Sequence, residues 1–422
     1  LQQPRPVQAV RFARSQNRMI DDAAELGDTF QIKFQRRPWN VVSHPDAIKE
    51  VFTSPPDVLH AGKGNEILAT ALGDHSVLLL DESDHMVQRK LLLPFFHGEH
   101  LAAQAGTIER IAEAEVAKVP HGQPFAMREV SQQIALEVIL EIVLGTSSSG
   151  EEHDRLAGSI KRLLEWLAKP TRLLMPGVFG PRHPLVKRMY RPVLDPLDRD
   201  LYTLIEGRRD EGGYEEREDM LSMLLATRYE DGEPMLDVEI RDELVTLIVA
   251  GHETTATALA WSFERLVHTS DGAERLHEET LEGGSEYSRA VAQEALRLRP
   301  VLDFVVRRVA KEVEIAGYRF SPGEVIAPSI YLVHRRPEIY PEPLEFRPER
   351  WIDEKPGTYT WIPFGGGVRR CIGASFALTE MEIVMRAVAR AGVLEAAGPE
   401  EDPVQRFITS SPKRGGALRY AT

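Results

Sequence analysis

A chain of 422 residues with 42% hydrophobic and 27% charged residues has the composition of an ordinary globular protein, long enough for a large core and a buried cofactor. Its formal charge of −14 excludes general nucleic-acid binding, which calls for clustered Lys and Arg. The single cysteine, Cys371, excludes an intramolecular disulfide and an all-cysteine metal site and fits a reducing cytoplasm; no apolar stretch approaches the length of a transmembrane span.

In chain order, apolar residues spaced three and four apart predict helices from about Asp84 to Leu281. His85 and Arg89 sit four apart on the first of them. A helix from about Val238 to Val267 is apolar on nearly all sides through Leu244 to Ala250, the mark of a central, buried element. It then carries Gly251, His252, Glu253, Thr254 and Thr255, most of which helix propensity disfavours. One reading is a Thr hydroxyl bonded to the carbonyl four residues back, with a local bend. The other is that Gly251 opens space while Glu253 and Thr254 deliver protons. In the next helix Glu294 and Arg297 lie three apart, and Glu294 shares a face with Val291 and Leu298, which turns it inward; a buried charge pair then needs further partners. After Pro300, prolines punctuate short β-branched segments such as Val325 to Ile330, so loops and small sheets are expected to about residue 370. A final helix from Ile372 to about Ala391 and a hairpin-like tail around Phe407 to Leu418 complete the chain.

Just ahead of that final helix, the segment from Trp361 to Gly373 packs three successive glycines, two arginines and the only cysteine. The glycines reach torsions that side chains forbid and let the backbone approach a flat partner. Arg369, Arg370 and the amides of the following helix would stabilise a cysteine thiolate, the form that binds metal. A free cysteine is otherwise most often a small buried hydrophobe. Phe364, Gly367, Arg369, Cys371 and Gly373 together fit F-x-x-G-x-R-x-C-x-G, which resembles the haem-binding loop of the cytochrome P450 family. Upstream, Ala250-Gly251-His252-Glu253-Thr254-Thr255 is similar to the oxygen-binding motif of that family, and Glu294 with Arg297 resembles its E-x-x-R pair.

The resemblance implies a mainly α fold with small β-sheets over residues 1–422 as a single domain, helix-rich over about 84–300 and rich in strands and loops over about 301–370, with haem between the central helix and the helix after the cysteine. It implies that Cys371 is the axial thiolate on the iron of haem b, with Phe364, Gly365 and Gly373 beside it. Arg369, His85, Arg89 and Arg308 would reach the propionates. Ala250, Gly251, Glu253 and Thr254 would form the catalytic oxygen site, and Glu294, Arg297 and Arg350, with Arg347 the second choice, would hold the cysteine loop. Leu247, Val301, Leu302, Val305 and Ile408 would line a pocket for a lipophilic small molecule of terpenoid, steroid or fatty-acyl type. Asp303 reads either as a polar handle in that pocket or as a loop residue facing water.

The implied reaction is reductive activation of O2 for hydroxylation or epoxidation. No G-x-G-x-x-G follows a strand, so electrons from NAD(P)H must arrive through a ferredoxin or flavodoxin and its reductase. Such carriers are acidic, and the face around Arg89, Lys90, Arg369 and Arg370 should be locally basic. A monomer is expected. Two alternatives are a haem-thiolate enzyme that uses peroxide or isomerises its substrate, and a haem-binding sensor without turnover; intact Glu253 and Thr254 argue against both. His97-Gly98-Glu99-His100 lacks further ligands at metal spacing, and no G-x-S-x-G is present, so zinc and hydrolase readings fall away.

Overall fold

The computed structural model describes residues 4–33, 37–169, 172, 174–353, 355 and 357–421. The amino-terminal part runs α1 (Arg5–Ala24), β1 (Thr29–Ile32), β2 (Trp39–Val42), α2 (Pro45–Thr53) and β3 (Leu59–His60). A helical body follows: α3 (Glu82–Leu92), α4 (Gly98–Val116), the short strand β4 (Phe125–Ala126), α5 (Met127–Val138), α6 (Glu151–Leu167), α7 (Leu174–Phe179), α8 (Pro184–Glu211), α9 (Met220–Ala226), α10 (Asp237–Leu266), α11 (Gly272–Leu281) and α12 (Glu286–Leu298). The last third holds β5 (Arg307–Val309), β6 (Val313–Ile315), β7 (Tyr318–Phe320) and β8 (Val325–Pro328), then α13 (Ala374–Ala391), β9 (Leu394–Ala396), β10 (Pro403–Arg406), β11 (Thr409–Pro412) and β12 (Ala417–Tyr420).

Three of the five strands in the largest sheet, ordered β1-β2-β8-β5-β3, come from the first sixty residues. Those residues carry few motifs, yet they complete the sheet on which β5 lies. Strand β2 runs parallel to β8, and the other pairings are antiparallel.

Helix α10, about 45 Å long at 1.5 Å per residue, is the central element expected from the sequence. Its amino end is closed by Glu239 Oε2, which accepts the Leu236 N–H at 2.7 Å, and Asp237 and Glu239 oppose the positive end of the helix dipole. Its walls are α5, α12, α13 and β11. Burial on every side explains why apolar residues surround it rather than forming a stripe.

Two boundaries differ from expectation. Helix α13 begins at Ala374, because Gly373 is its N-cap and the preceding residues still belong to the loop. The tail hairpin is β10 with β11, and Phe407 sits in its turn at φ +56° instead of within a strand.

Candidate active site

Glu294 and Arg297 are fully buried and bonded side by side, Nε to Oε2 at 2.7 Å and Nη2 to Oε1 at 2.8 Å. The other Arg297 donors reach the carbonyls of His334, Pro343 and Glu345 at 2.7–2.9 Å, so all five N–H groups of the guanidinium are used. Glu294 in turn accepts from the Arg347 N–H at 2.8 Å, Arg350 Nε at 3.3 Å and Trp351 Nε1 at 3.0 Å. Arg350 is the third charged member; Arg347 contributes its backbone, and its side chain turns to Glu342 at 2.5 Å. Three residues to which the sequence reading gave no role carry this cluster to the cysteine loop. Trp351 packs on Trp361 and Trp361 on Phe364, with ring centroids 5.7 and 6.1 Å apart. His334 spans the other gap, between the Arg297 carbonyl and the Ile362 N–H.

The loop is closed by the Cys371 N–H donating to the Phe364 carbonyl at 2.9 Å. Gly365 and Gly367 lie at φ +67° and +64°, where only glycine is comfortable. Their neighbour in space is protein: a β-carbon on Gly366 would sit 2.2 Å from the Phe52 ring, and one on Gly367 2.1 Å from the Phe52 carbonyl. The glycines therefore seat the loop on α2. Burial pushes the Cys371 thiol up, against the Gly373 backbone N–H, Arg89 and Arg370, which draw it down. A metal ion deprotonates a coordinating thiol outright.

Around this loop stands a group of cations with little counter-charge. Burial, then Arg369, Arg89 and Arg307, hold His85 down to about 3. Burial also lowers Arg307 and Arg369, each to about 10. On β5 it is Arg307 that faces this group. Successive side chains on a strand face opposite ways, and β5 turns Arg307 and Val309 inward while Arg308 pairs with Glu66 Oε2 at 3.2 Å. Arg369 donates to Asp81 Oδ1 at 2.7 Å and to the carbonyls of Leu80 at 2.5 Å and Val77 at 3.4 Å, which ties the cysteine loop to the segment before α3.

On α10 the stripe Leu247, Ala250, Gly251 and Thr254 is the open face of an otherwise buried helix: Ala250 and Gly251 are exposed, and no atom lies within 4 Å of where a Gly251 β-carbon would be. Thr254 Oγ1 donates to the Ala250 carbonyl at 2.5 Å, the back-bond foreseen as one reading of this motif. Glu253 points elsewhere. Arg128 grips it through Nε at 3.1 Å and Nη2 at 2.7 and 2.8 Å, Gln132 donates at 2.9 Å, and both come from α5. Arg128 is the site's main omission from the sequence reading.

Of the expected pocket residues, Leu247, Leu302 and Val305 are half-buried, Ile408 is exposed beside the hairpin turn, and Val301 is buried in the main core. Asp303 is neither a polar handle nor a water-facing loop residue. It is buried, and its Oδ2 accepts from Gln16 at 2.5 Å and Gln405 at 3.4 Å. The expected basic face is also thinner than foreseen. Lys90 pairs with Glu230 at 3.3 Å and Arg369 with Asp81, while Met86, Val87, Leu93 and Val368 are exposed there.

A lone cysteine on a glycine loop, a cationic ring beside it and a long helix with one open face describe a haem-thiolate class of protein. The sequence profile of the family described as Cytochrome P450 matches residues 7–405. Over 391 residues the chain is 40% identical to cytochrome P450 135B1 of Mycobacterium tuberculosis, covering 90% of this chain and 81% of that one. To cytochrome P450 135A1 of the same organism it is 34% identical over 427 residues, 99% and 93% of the two chains. A solved structure titled as retinoic acid bound cyanobacterial CYP120A1 superposes with a TM-score of 0.82 over 98% of this chain and 96% of that one, at 21% identity, a likeness of fold. This chain belongs to the cytochrome P450 family and is a cytochrome P450 monooxygenase. The residues present fit the family's cofactor. His85, Arg89, Arg307 and Arg369 are the donors that two carboxylates require, and the open stripe of α10 leaves room for a flat ring. No helix among the described residues is long and apolar enough to cross a membrane.

Proposed function

We propose that Cys371 would supply the thiolate that holds haem b, that Arg307 with His85, Arg89 and Arg369 would hold its propionates, and that the substrate is a lipophilic small molecule of terpenoid, steroid or fatty-acyl type. The observation that carries this reading is the convergence of four basic side chains and one cysteine, with Asp81 the only acid bonded into the group among the described residues. When bound, haem supplies the reductive activation of O2, with electrons from NAD(P)H through a ferredoxin or flavodoxin and its reductase.

The chain's own residues then divide the work. Phe364, Gly365 and Gly373 shape the loop around the sulfur. Gly251 and Ala250 admit the ring and a small ligand beside α10. Thr254 holds its hydroxyl at the Ala250 carbonyl and can pass a proton along that face. Glu253 stores the charge from which protons are relayed, and Arg128 and Gln132 position it from α5. Leu247, Leu302, Val305 and Ile408 offer the apolar lining, with Val301 packed behind them. The test is the carbon monoxide difference spectrum of the reduced protein. The band characteristic of thiolate ligation is expected in the parent and lost in Cys371→Ala; a spectrum unchanged by that substitution overturns the assignment.

A further inference from the structure

The strip from Val301 to Val306 has two faces. Leu302 and Val305 pack against the cluster that contains Ile362, and Val305 stands 3.5 Å from where a β-carbon on Gly365 would sit. Phe304 and Val306 pack instead with Met19 and Ala23 of α1 and with Trp39 of β2, the Phe304 and Trp39 rings 5.8 Å apart. The Asp303 carboxyl is buried where three parts of the chain meet: Gln16 of α1 donates to its Oδ2 at 2.5 Å and Gln405 of β10 at 3.4 Å. The backbone is fastened on either side. The Asp303 carbonyl accepts the Ile330 and Tyr331 N–H groups at 2.9 and 3.2 Å, and the Val301 carbonyl accepts the Ser410 N–H of β11 at 2.8 Å. Because the hairpin of β10 and β11 carries Ile408 at its turn, two apolar stretches offered to a substrate share this one acid.

Glu294 shows what a fixed buried acid looks like: both oxygens are engaged, by two guanidinium groups, a backbone N–H and an indole. Asp303 is held far more lightly. Both donors to its carboxyl are neutral amides, both reach Oδ2, and Oδ1 has no partner among the described residues. The charged and titratable groups that face it are Asp21 from α1, Arg299 just after α12, and Arg335, with the Tyr331 hydroxyl bonded to Asp21 at 3.1 Å. The hairpin presents the neutral Gln405. Burial raises the Asp303 carboxyl to about 7, against the pull of Arg335, Gln16 and Arg299. A hydrogen bond to a carboxylate is about twice as strong as one to a neutral acceptor, so the grip on Gln16 and Gln405 tightens when the proton leaves.

We propose that Asp303 is a positioning residue for the substrate pocket: by tying the 301–306 strip to β10 and to α1 from behind, its carboxyl sets how closely Leu302, Val305 and Ile408 close on a bound lipophilic molecule. It touches no substrate itself. The proposal rests on the haem reading above, because that reading places the pocket beside these residues. Affinity for a bulky apolar ligand then depends on Asp303 and follows its proton, whereas access of a small ligand to the iron does not.

The experiment is spectral titration of the haem-loaded full chain with two probes that stay uncharged over the range used, a phenyl-substituted triazole that fills the pocket and an unsubstituted triazole that needs only the iron. In the parent the phenyl triazole should bind about fivefold more tightly at about pH 8 than at about pH 6, and the bare triazole equally at both. Asp303→Asn keeps the shape and an acceptor oxygen, and its affinity for the phenyl triazole should not change with pH. Asp303→Ala should weaken that affinity about tenfold and Gln405→Leu, on the hairpin, about threefold, both leaving the bare triazole within about twofold of the parent. Amide exchange across residues 403–412, quicker in these two variants, reads the same tie without the cofactor. Should Asp303→Ala not fold, Asp303→Asn and Gln405→Leu decide the matter. Undiminished phenyl triazole affinity in Gln405→Leu, a pH dependence that survives in Asp303→Asn, or an equal loss for the bare triazole overturns the proposal. A parent without the thiolate band in its carbon monoxide spectrum would sink the haem reading and this proposal with it; a parental band beside unchanged triazole affinities sinks the proposal alone.

Discussion

The ring of His334 bridges Arg297 and Ile362. Its Nε2 accepts the Ile362 N–H at 2.8 Å, so Nδ1 carries the proton and donates to the Arg297 carbonyl at 3.1 Å. Burial, reinforced by Arg297 and Arg335, holds this imidazole well below its usual range and keeps it neutral. His334→Ala orphans both backbone groups, at about 1–3 kcal/mol each. A lower melting temperature and faster loss of haem to apomyoglobin are expected; parental values for both would show that the bridge holds nothing.

Arg297→Lys is expected to be as damaging as a deletion. Lysine has three donors where arginine has five, so at least two of the acceptors now served lose their partner, and the cost is about 3–5 kcal/mol. Calorimetry on the purified variant measures it. A loss below about 1 kcal/mol would mean that the five bonds are redundant.

Arg307→Ala and Arg308→Ala make a paired comparison. If the inward arginine of β5 holds a propionate, Arg307→Ala should lose haem about tenfold faster than the parent, whereas Arg308→Ala gives up a partly exposed contact with Glu66 and should lose it at nearly the parental rate. The reverse order would restore the assignment made from sequence.

Glu380 on α13 is buried against Thr255, and burial raises its carboxyl from 4.5 to about 8. The folded side chain thus keeps a proton that the unfolded chain releases. Its contribution is complete below the unfolded value and is lost as pH rises towards 8, at up to about 1.4 kcal/mol per pH unit. Glu380→Gln removes that dependence, so the stability of the variant relative to the parent should climb between pH 5 and 8. A difference that stays flat across this window would place the carboxylate in contact with water.

Thr254→Ala should bind haem and substrate normally and lose coupling, with product formed per NAD(P)H consumed falling about tenfold and hydrogen peroxide taking its place. Glu253→Gln should slow the whole cycle by about 100-fold. Oxygen and NAD(P)H consumption with surrogate redox partners separates the two. Unaltered coupling in the first and undiminished turnover in the second would reduce both residues to helix structure.

What the sequence made legible is what periodicity and spacing encode. Glu294 was placed inward because it falls in register with Val291 and Leu298, and the central helix because its apolar residues leave no polar face. Side-chain choice within a strand was harder. Two adjacent arginines differ only in which way the pleat turns them, and that depends on β3 and β8, which flank β5 from distant parts of the chain. Arg128 and His334 were invisible for the same reason. Each acts on a partner 125 or 37 residues away, and no local pattern marks a pairing that only the packed fold creates.

The seating of Gly366 and Gly367 on Phe52 gives the amino-terminal part of the chain a duty its sequence does not advertise. The contour of the cysteine loop is cast against α2, a mould made of protein. A bulkier residue grafted into either glycine would therefore register first as a misfit between the two ends of the polypeptide, and only afterwards as a fault in the chemistry.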